Sequence, residues 1–207
     1  MTPSDAELAQ QALAGSQAAY RDLVSRYATP AVNLAARMVR DRALAEDLAQ
    51  EAFARAFEHL ASYNPQHRFS GWFFQILHNL TIDHLRRKRL PSVSLDELEA
   101  AGHPGIPSHA AGDSPALQAE QAALARALES ALSAVRPQYR EAVALRYRED
   151  LPVQEIAEVM GIPVGTVKTY LYRARKELAE ILSKRGWGPP AAPPETAGSE
   201  TARRKTP

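Results

Sequence analysis

An all-α protein is predicted, built of two helical domains joined by a flexible linker. Three features of the 207-residue chain carry that expectation. Apolar residues recur at spacings of three and four through most of it, the period of a helix with one buried face. Sustained apolar–polar alternation and Asn-Gly hairpin turns, the marks of strands, are missing. The stretch 91–116, PSVSLDELEAAGHPGIPSHAAGDSPA, changes character: it is rich in Pro, Gly, Ser and Ala, acidic, without Lys or Arg, and has no sustained stripe. The expected boundaries are a first domain over 1–90, the acidic linker over 91–116, a second domain over 117–185 and a disordered tail over 186–207. After Trp187 that tail reads GPPAAPPETAGSETARRKTP, too poor in apolar residues to fold.

The elements follow in order. Ser4 is placed to cap a short helix ending near Ala14 and Gly15. Residues 17–39 read as a long helix with Tyr20, Leu23, Val24, Tyr27, Val32, Leu34 and Met38 as candidate core, and Pro30 inside it predicts a kink or a break. Residues 42–60 form a third helix. Leu44, Leu48, Ala52, Phe53, Ala56 and Leu60 make its apolar side, and Asp47, Gln50, Glu51 and Glu58 cluster on the other. A polar, turn-forming loop, ASYNPQHRF, spans 61–69. Ser70 then caps a helix to about Arg89. Its buried side carries Trp72, Phe73, Ile76, Leu77 and Leu80, and its opposite side Gln75, His78, Asn79, Ile82 and Arg86, ending in Arg86-Arg87-Lys88-Arg89. After the linker, a helix from near Pro115 to about Ser133 has Leu117, Leu124, Leu128 and Leu132 on its core side. Arg136-Pro137 opens another through Tyr147, with Tyr139, Val143, Ala144 and Tyr147 inward.

The stretch 152–182, PVQEIAEVMGIPVGTVKTYLYRARKELAEIL, is two helices about a tight turn. Pro152 suits a first helical position, and Ile156, Ala157 and Met160 give the short helix one apolar stripe. Gly161 stands where a helix ends in a left-handed residue, and Pro163 pre-sets a second start. Val164, Val167, Leu171, Ala174, Leu178 and Leu182 form the stripe of the second helix. Helix, glycine turn, helix is a helix-turn-helix. On its outer arc Lys168, Thr169, Tyr172, Arg173, Arg175 and Lys176 offer cations, a hydroxyl and an aromatic ring. These can pair with phosphates and reach base edges. Taken alone, a basic helical face is a solvated face; joined to the glycine turn, it points to duplex DNA.

Net charge is only +1, so no global basic field marks a nucleic-acid partner; the two domains are each mildly basic and flank the acidic linker. The absence of cysteine removes disulfide frameworks, thiolate nucleophiles and cysteine–zinc sites, and fits a reducing compartment. MTPSDAELAQ has no basic segment followed by an apolar core, and no apolar run approaches the ~20 residues of a membrane span, so a soluble, cytoplasmic protein without membrane insertion is expected. Asp47 and Glu51, one turn apart, have no His or third carboxylate placed to complete a catalytic or metal site, and His78 and His84 fall on different faces. No cofactor is expected. The loop with Tyr63, His67, Arg68 and Phe69 has a composition suited to unstacked bases. The amides and terminal cations of the following helix suit strand reading, although the helix dipole alone also favours those cations.

Three segments together, AEDLAQEAFARAFEHL, FSGWFFQILHNLTIDHLRRKR and REAVALRYREDLPVQEIAEVMGIPVGTVKTYLYRARKEL, resemble in order and spacing a small bacterial sigma factor of the extracytoplasmic-function type. The resemblance covers roughly 17–90 and 117–185. It departs at AVRPQY, where the family often has a leucine-proline pair, and at DLPV, where a Ser/Thr cap is common; neither touches the recognition face. The resemblance implies a role for each cluster. Asp47, Gln50 and Glu51 fall where such factors dock on the clamp coiled coil of the RNA polymerase β′ subunit. Tyr63, His67 and Arg68 fall where a flipped base of the melted non-template strand is held. Asn79, Asp83, Arg86 and Arg87 fall on the helix that reads the −10 element, and Lys168, Thr169, Tyr172, Arg173 and Arg175 on the helix that reads the −35 element. It further implies that the second domain sits on the β flap, and that an anti-sigma factor holds the protein inactive. A stand-alone helix-turn-helix regulator, binding duplex DNA as a dimer without polymerase, is the alternative; it has no need of the acidic face around Asp47.

Overall fold

The computed structural model describes residues 2–89 and 115–187, so all but the edges of the expected linker and tail lie outside the described residues. Among the described residues there are helices and no strand. Helix α1 (Asp5–Leu13) opens with a capping box: Ser4 Oγ accepts the Glu7 amide at 3.3 Å, and the Glu7 carboxylate accepts the Ser4 amide at 2.7 Å. Those bonds hold the Glu7 carboxyl below its ordinary value. Helix α2 (Gln17–Val39) starts at Ser16, whose hydroxyl accepts the Ala19 amide. It runs through Pro30 without the break that sequence allows. Pro30 has no N–H to offer the turn before it, and side chains anchor that turn instead. Arg26 pairs with Asp5 at 2.6 Å and donates to the Pro3 carbonyl at 2.7 Å, and the Tyr27 hydroxyl donates to Asp5. Burial and the Asp5 carboxylate together push the Tyr27 phenol up.

Arg40 ends α2 in the left-handed region (φ 58°), and Asp41 at once caps α3 (Arg42–Glu58) through the Leu44 amide. The chain then tightens into a 3-10 turn, Leu60–Ser62, so Leu60 closes the core from outside α3 rather than within it. Helix α4 (Phe69–Arg89) begins two residues earlier than a Ser70 cap would place it, which leaves Ser70 inside its first turn. Its Phe69, Phe73, Phe74 and Leu77 are fully buried; Trp72 and Ile76 pack at the edge. Phe73 lies 4.6 Å from Phe53 and 5.6 Å from Phe74 between ring centroids, in an aromatic core that Tyr27 and Tyr63 extend. Burying each such ring contributes about 2–3 kcal/mol, which fixes α4 against α2 and α3.

The second unit comprises α5 (Pro115–Ala134), α6 (Pro137–Tyr147), α7 (Val153–Met160) and α8 (Val164–Lys184). Pro152 stands at the N-cap of α7 rather than at its first helical position, and Gly161 ends it at φ 62°. Val167, Leu171 and Ala174 of α8 are buried, while Val164, Leu178 and Leu182 lie at the margin. Three expected core residues are exposed. Leu124 and Leu128 are exposed, because α5 is buried only at its last turns, through Ala131 and Leu132. Tyr147 is 60% exposed, because α6 lies between α8 and α2 and buries Arg140, Glu141, Ala142 and Leu145 instead.

The two units pack on each other. α7 lies along α4 and α6 along α2, and one apolar cluster runs through both, from Leu34 and Phe73 to Leu145, Leu151 and Ile156. Polar contacts rim it. Glu129 accepts Arg37 at 3.0 Å and Arg148 at 3.3 Å, Arg40 donates to the Ser133 carbonyl at 3.1 Å, and His78 Nδ1 lies 2.5 Å from Glu141 Oε1.

Candidate nucleic-acid and polymerase interfaces

Three faces carry the residues that the sequence singles out. On α3, Asp47, Gln50 and Glu51 are all exposed, opposite the buried Leu48, Ala52 and Phe53. Glu51 pairs with Arg55 one turn on, at 2.5 Å, with both side chains half exposed. Such a pair is weak in water and leaves the carboxylate available for exchange. Asp47 has no hydrogen-bond or ionic partner among the described residues. Among the described residues no group of three metal-ligating side chains forms.

The second face surrounds the 61–69 loop. A cavity of 160 Å³ opens between this loop, the first turns of α4 and α7. Tyr63 forms its floor. Its ring is buried against Phe69 and Trp72, and its hydroxyl donates to the His67 carbonyl at 2.8 Å, so it shapes the loop more than it reaches outward. Asn64 fixes the loop's turn by accepting the Gln66 amide at 3.0 Å. His67 and Arg68 are exposed on the rim. Gln75, expected on the reading side of α4, lines the cavity, and so does Trp72, which the sequence did not offer as a site residue. Trp72, expected on the buried side of α4, is only partly buried. An aromatic wall, an amide and two basic groups are the equipment for stacking an unpaired base and holding its backbone.

Along α4, Gln75, Asn79, Asp83, Arg86 and Arg87 are exposed and lie one or two turns apart, a continuous polar stripe leading away from the cavity. His78, expected on this reading side, is not there: it is 9% exposed and held by Glu141, which is 2% exposed. A helical period places His78 beside Gln75 and Asn79, but not which neighbour covers it. Arg68 likewise turns toward the second unit, donating to the Asp150 carbonyl at 3.1 Å with Glu155 at 3.7 Å.

The third face is the outer side of α8. Lys168, Thr169, Tyr172, Arg173, Arg175 and Lys176 are all exposed, and Tyr172 stands 62% in solvent. The buried stripe Val167, Leu171, Ala174 fixes this rotation, while the left-handed Gly161 aims α8 across α7. Thr169 Oγ1 is engaged, donating to the Gly165 carbonyl at 2.9 Å. Arg173 Nη1 donates to the Tyr139 hydroxyl at 3.3 Å, a contact that raises the guanidinium's pKa and orients its head. Lys168, Arg175 and Lys176 make no ion pair among the described residues.

A helix-turn-helix with an unpaired basic outer face, on an all-helical body bearing a second polar helix, defines a DNA-reading class of protein. Comparison with known sequences narrows it. The pattern of Sigma-70 region 2 matches residues 23–90, and that of Sigma-70, region 4, matches residues 125–178. The chain is 35% identical over 177 residues to the ECF RNA polymerase sigma factor SigW of Bacillus subtilis, covering 84% of this chain and 94% of that protein. It is 34% identical over 170 residues to the RNA polymerase sigma factor CarQ of Myxococcus xanthus, covering 82% of this chain and 92% of that protein. The chain belongs to the family of ECF RNA polymerase sigma factors. Its fold resembles that of CnrH solved in complex with the cytosolic domain of CnrY, with a TM-score of 0.60 and 24% identity over 88% of this chain and 99% of that one. No helix among the described residues is long and apolar enough to cross a membrane.

Proposed function

We propose that this chain binds core RNA polymerase and directs promoter-specific initiation, reading two DNA elements and trapping melted non-template bases. The observation that carries this is the presence, in one chain, of both sigma regions, each with a helix whose polar or basic face is exposed. Asp47, Gln50 and Glu51 meet cations on the β′ clamp coiled coil. The cavity beside His67 and Arg68 takes a flipped base; Asn79, Asp83, Arg86 and Arg87 read the −10 element; and Lys168, Thr169, Tyr172, Arg173 and Arg175 read the −35 element while the second unit rests on the β flap. The protein works in the cytoplasm, makes and breaks no bond itself, and is held in check by an anti-sigma factor.

The energetics suit a shared task. Opening duplex costs about 1.4 kcal/mol per base-pair step. Stacking one captured base returns ~1–3 kcal/mol, so capture biases melting and polymerase contacts supply the rest. Run-off transcription with purified core polymerase tests the reading. Initiation should require the wild-type chain, fall when Asp47 and Glu51 are both changed to Ala, and shift in promoter choice with Arg173→Ala. Duplex binding without any stimulation of polymerase would instead indicate a stand-alone regulator.

A further inference from the structure

A cavity of 390 Å³ opens between the middle of α2 and the C-terminal end of α6, and it shares no residue with the α3, α4 and α8 faces. Small-molecule sites are typically about 300–1,000 Å³. The lining is of two kinds. Leu34 and Ala144, both buried, give an apolar wall. Thr29, Asn33 and Arg37 recur every fourth residue, so they share one face of α2 and bring a hydroxyl, an amide and a guanidinium to the cavity. Arg148 adds a second guanidinium. Glu149 adds a carboxyl whose pKa burial raises, against the pull of Arg148.

The two guanidiniums have donors to offer. The Arg37 side chain is only 7% exposed, yet among the described residues only its Nη2 has a partner, Glu129 at 3.0 Å, and its buried Nε has none. Arg148 also gives Nη2 to Glu129, at 3.3 Å. A guanidinium carries five N–H donors, so one shared carboxylate leaves most of both forks unmatched. Charge points the same way. Arg37, Arg40, Arg140 and Arg148 stand against Glu129 and Glu149, a surplus of two positive charges (four minus two). Burial first and like charge next lower the pKa of Arg140 and Arg148. A dianion relieves that repulsion, and near neutral pH a phosphomonoester carries about −1.5 to −2, more than any carboxylate.

We propose that this cavity binds a small phosphorylated molecule, its phosphate between Arg37 and Arg148 and its less polar body against Leu34 and Ala144. Thr29 and Asn33, one and two turns before Arg37 on the same face, hydrogen-bond the bound group. Glu149 opposes the ligand's charge and so holds the affinity down. The site is separate from the promoter-reading faces, and its occupancy does not depend on what those faces read.

Equilibrium dialysis of the full-length chain measures its affinity for isotope-labelled AMP, ribose phosphate, inorganic phosphate and adenosine, a series that removes the base, the body and the charge in turn. AMP should bind tightest, inorganic phosphate weakest of the charged probes, and adenosine not at all. Arg148→Gln should weaken AMP binding roughly tenfold or more, the loss of one charge-assisted contact. Glu149→Gln should tighten it several-fold, a gain that impaired folding cannot mimic. Arg175→Ala and Lys176→Ala, on the basic face of α8, should bind AMP as wild type does. No binding of either phosphate ester at millimolar concentration, adenosine or inorganic phosphate held as tightly as AMP, indifference to Arg148→Gln, weaker binding by Glu149→Gln, or loss of binding in the α8 variants would each overturn the site.

Discussion

The His78–Glu141 pair is where the seam between the units is most exposed to measurement. His78 Nδ1 and Glu141 Oε1 are 2.5 Å apart, with Glu141 2% and His78 9% exposed. A solvent-exposed pair of this kind contributes ~0–1 kcal/mol. Here water cannot replace the lost partner, so His78→Leu should cost about 3–5 kcal/mol by leaving the Glu141 carboxylate buried alone. For a chain of this size, ~3 kcal/mol corresponds to a fall of roughly 6–12 °C in Tm. The double variant His78→Leu with Glu141→Leu should recover most of that loss, because two packed apolar side chains replace a desolvated pair. Urea unfolding of wild type, both single variants and the double variant closes the cycle. Single losses below about 1 kcal/mol, or a double variant as unstable as the sum of the singles, would refute the claim that this pair is a buried, coupled element of the seam.

Four further outcomes concern other residues. Phe73→Ala should lower stability by about 3–5 kcal/mol in urea unfolding, since its ring is fully buried among Phe53, Phe69 and Phe74; Tyr172→Ala, on the exposed arc of α8, should change stability by no more than about 0.5 kcal/mol. Arg173→Ala should weaken promoter-duplex binding by ~1–3 kcal/mol and flatten the log–log salt dependence by about one unit, read by fluorescence anisotropy across a salt series. The Glu155 carboxyl has its pKa raised above 4.5 in the folded chain, chiefly by burial, so its ionised form opposes packing at neutral pH and the opposition fades as the group takes up its proton. Glu155→Gln should therefore be more stable than wild type at pH 7, and that advantage should shrink as pH falls through the raised value and vanish below 4.5, the ordinary glutamate value; a stability difference that does not change with pH would contradict this.

The helices and their termini were legible in the sequence wherever one local rule decides them. Ser4 caps α1 as expected, Gly161 takes the expected left-handed turn, and the α8 stripe of Val167, Leu171 and Ala174 places Lys168, Tyr172, Arg173 and Arg175 outward as predicted. The acidic stripe of α3 is likewise exposed where the period puts it. What periodicity cannot reveal is the partner of a face. Leu124 and Leu128 satisfy a helical stripe and remain exposed, since only the end of α5 meets another helix. Arg140 and Glu141 look like surface residues in REAVALRY and are buried, since α6 lies between α8 and α2. His78 fails for the same reason. Pro30 shows the converse: the local rule predicts a disturbance, and contacts from Asp5, distant in sequence, hold the helix through it.

The charges along the seam bear on how firmly it closes. Arg140 is 2% exposed, with Nε and Nη2 unpaired and only the Nη1 bond to the Ser133 carbonyl at 3.2 Å. Burial, then Arg40 and Arg37, push its guanidinium down to about 10. Burial and Arg37 likewise lower that of Arg148, against the opposing pull of Glu129 and Glu149. Glu129 is the carboxylate shared by Arg37 and Arg148, so the apolar cluster draws the units together against like charge that one carboxylate does not cancel. A seam balanced in this way opens for a partner that binds the parted form more tightly by the few kcal/mol of the difference. Phosphates and acidic protein surfaces supply that preference, because the guanidiniums released at the seam are the groups they pair with best. Replacing Arg140 by Met should then stabilise the closed chain, by about 1 kcal/mol or more in urea, and slow its opening. A variant less stable than wild type would mean that the buried guanidinium, for all its unpaired nitrogens, is a net support of the seam.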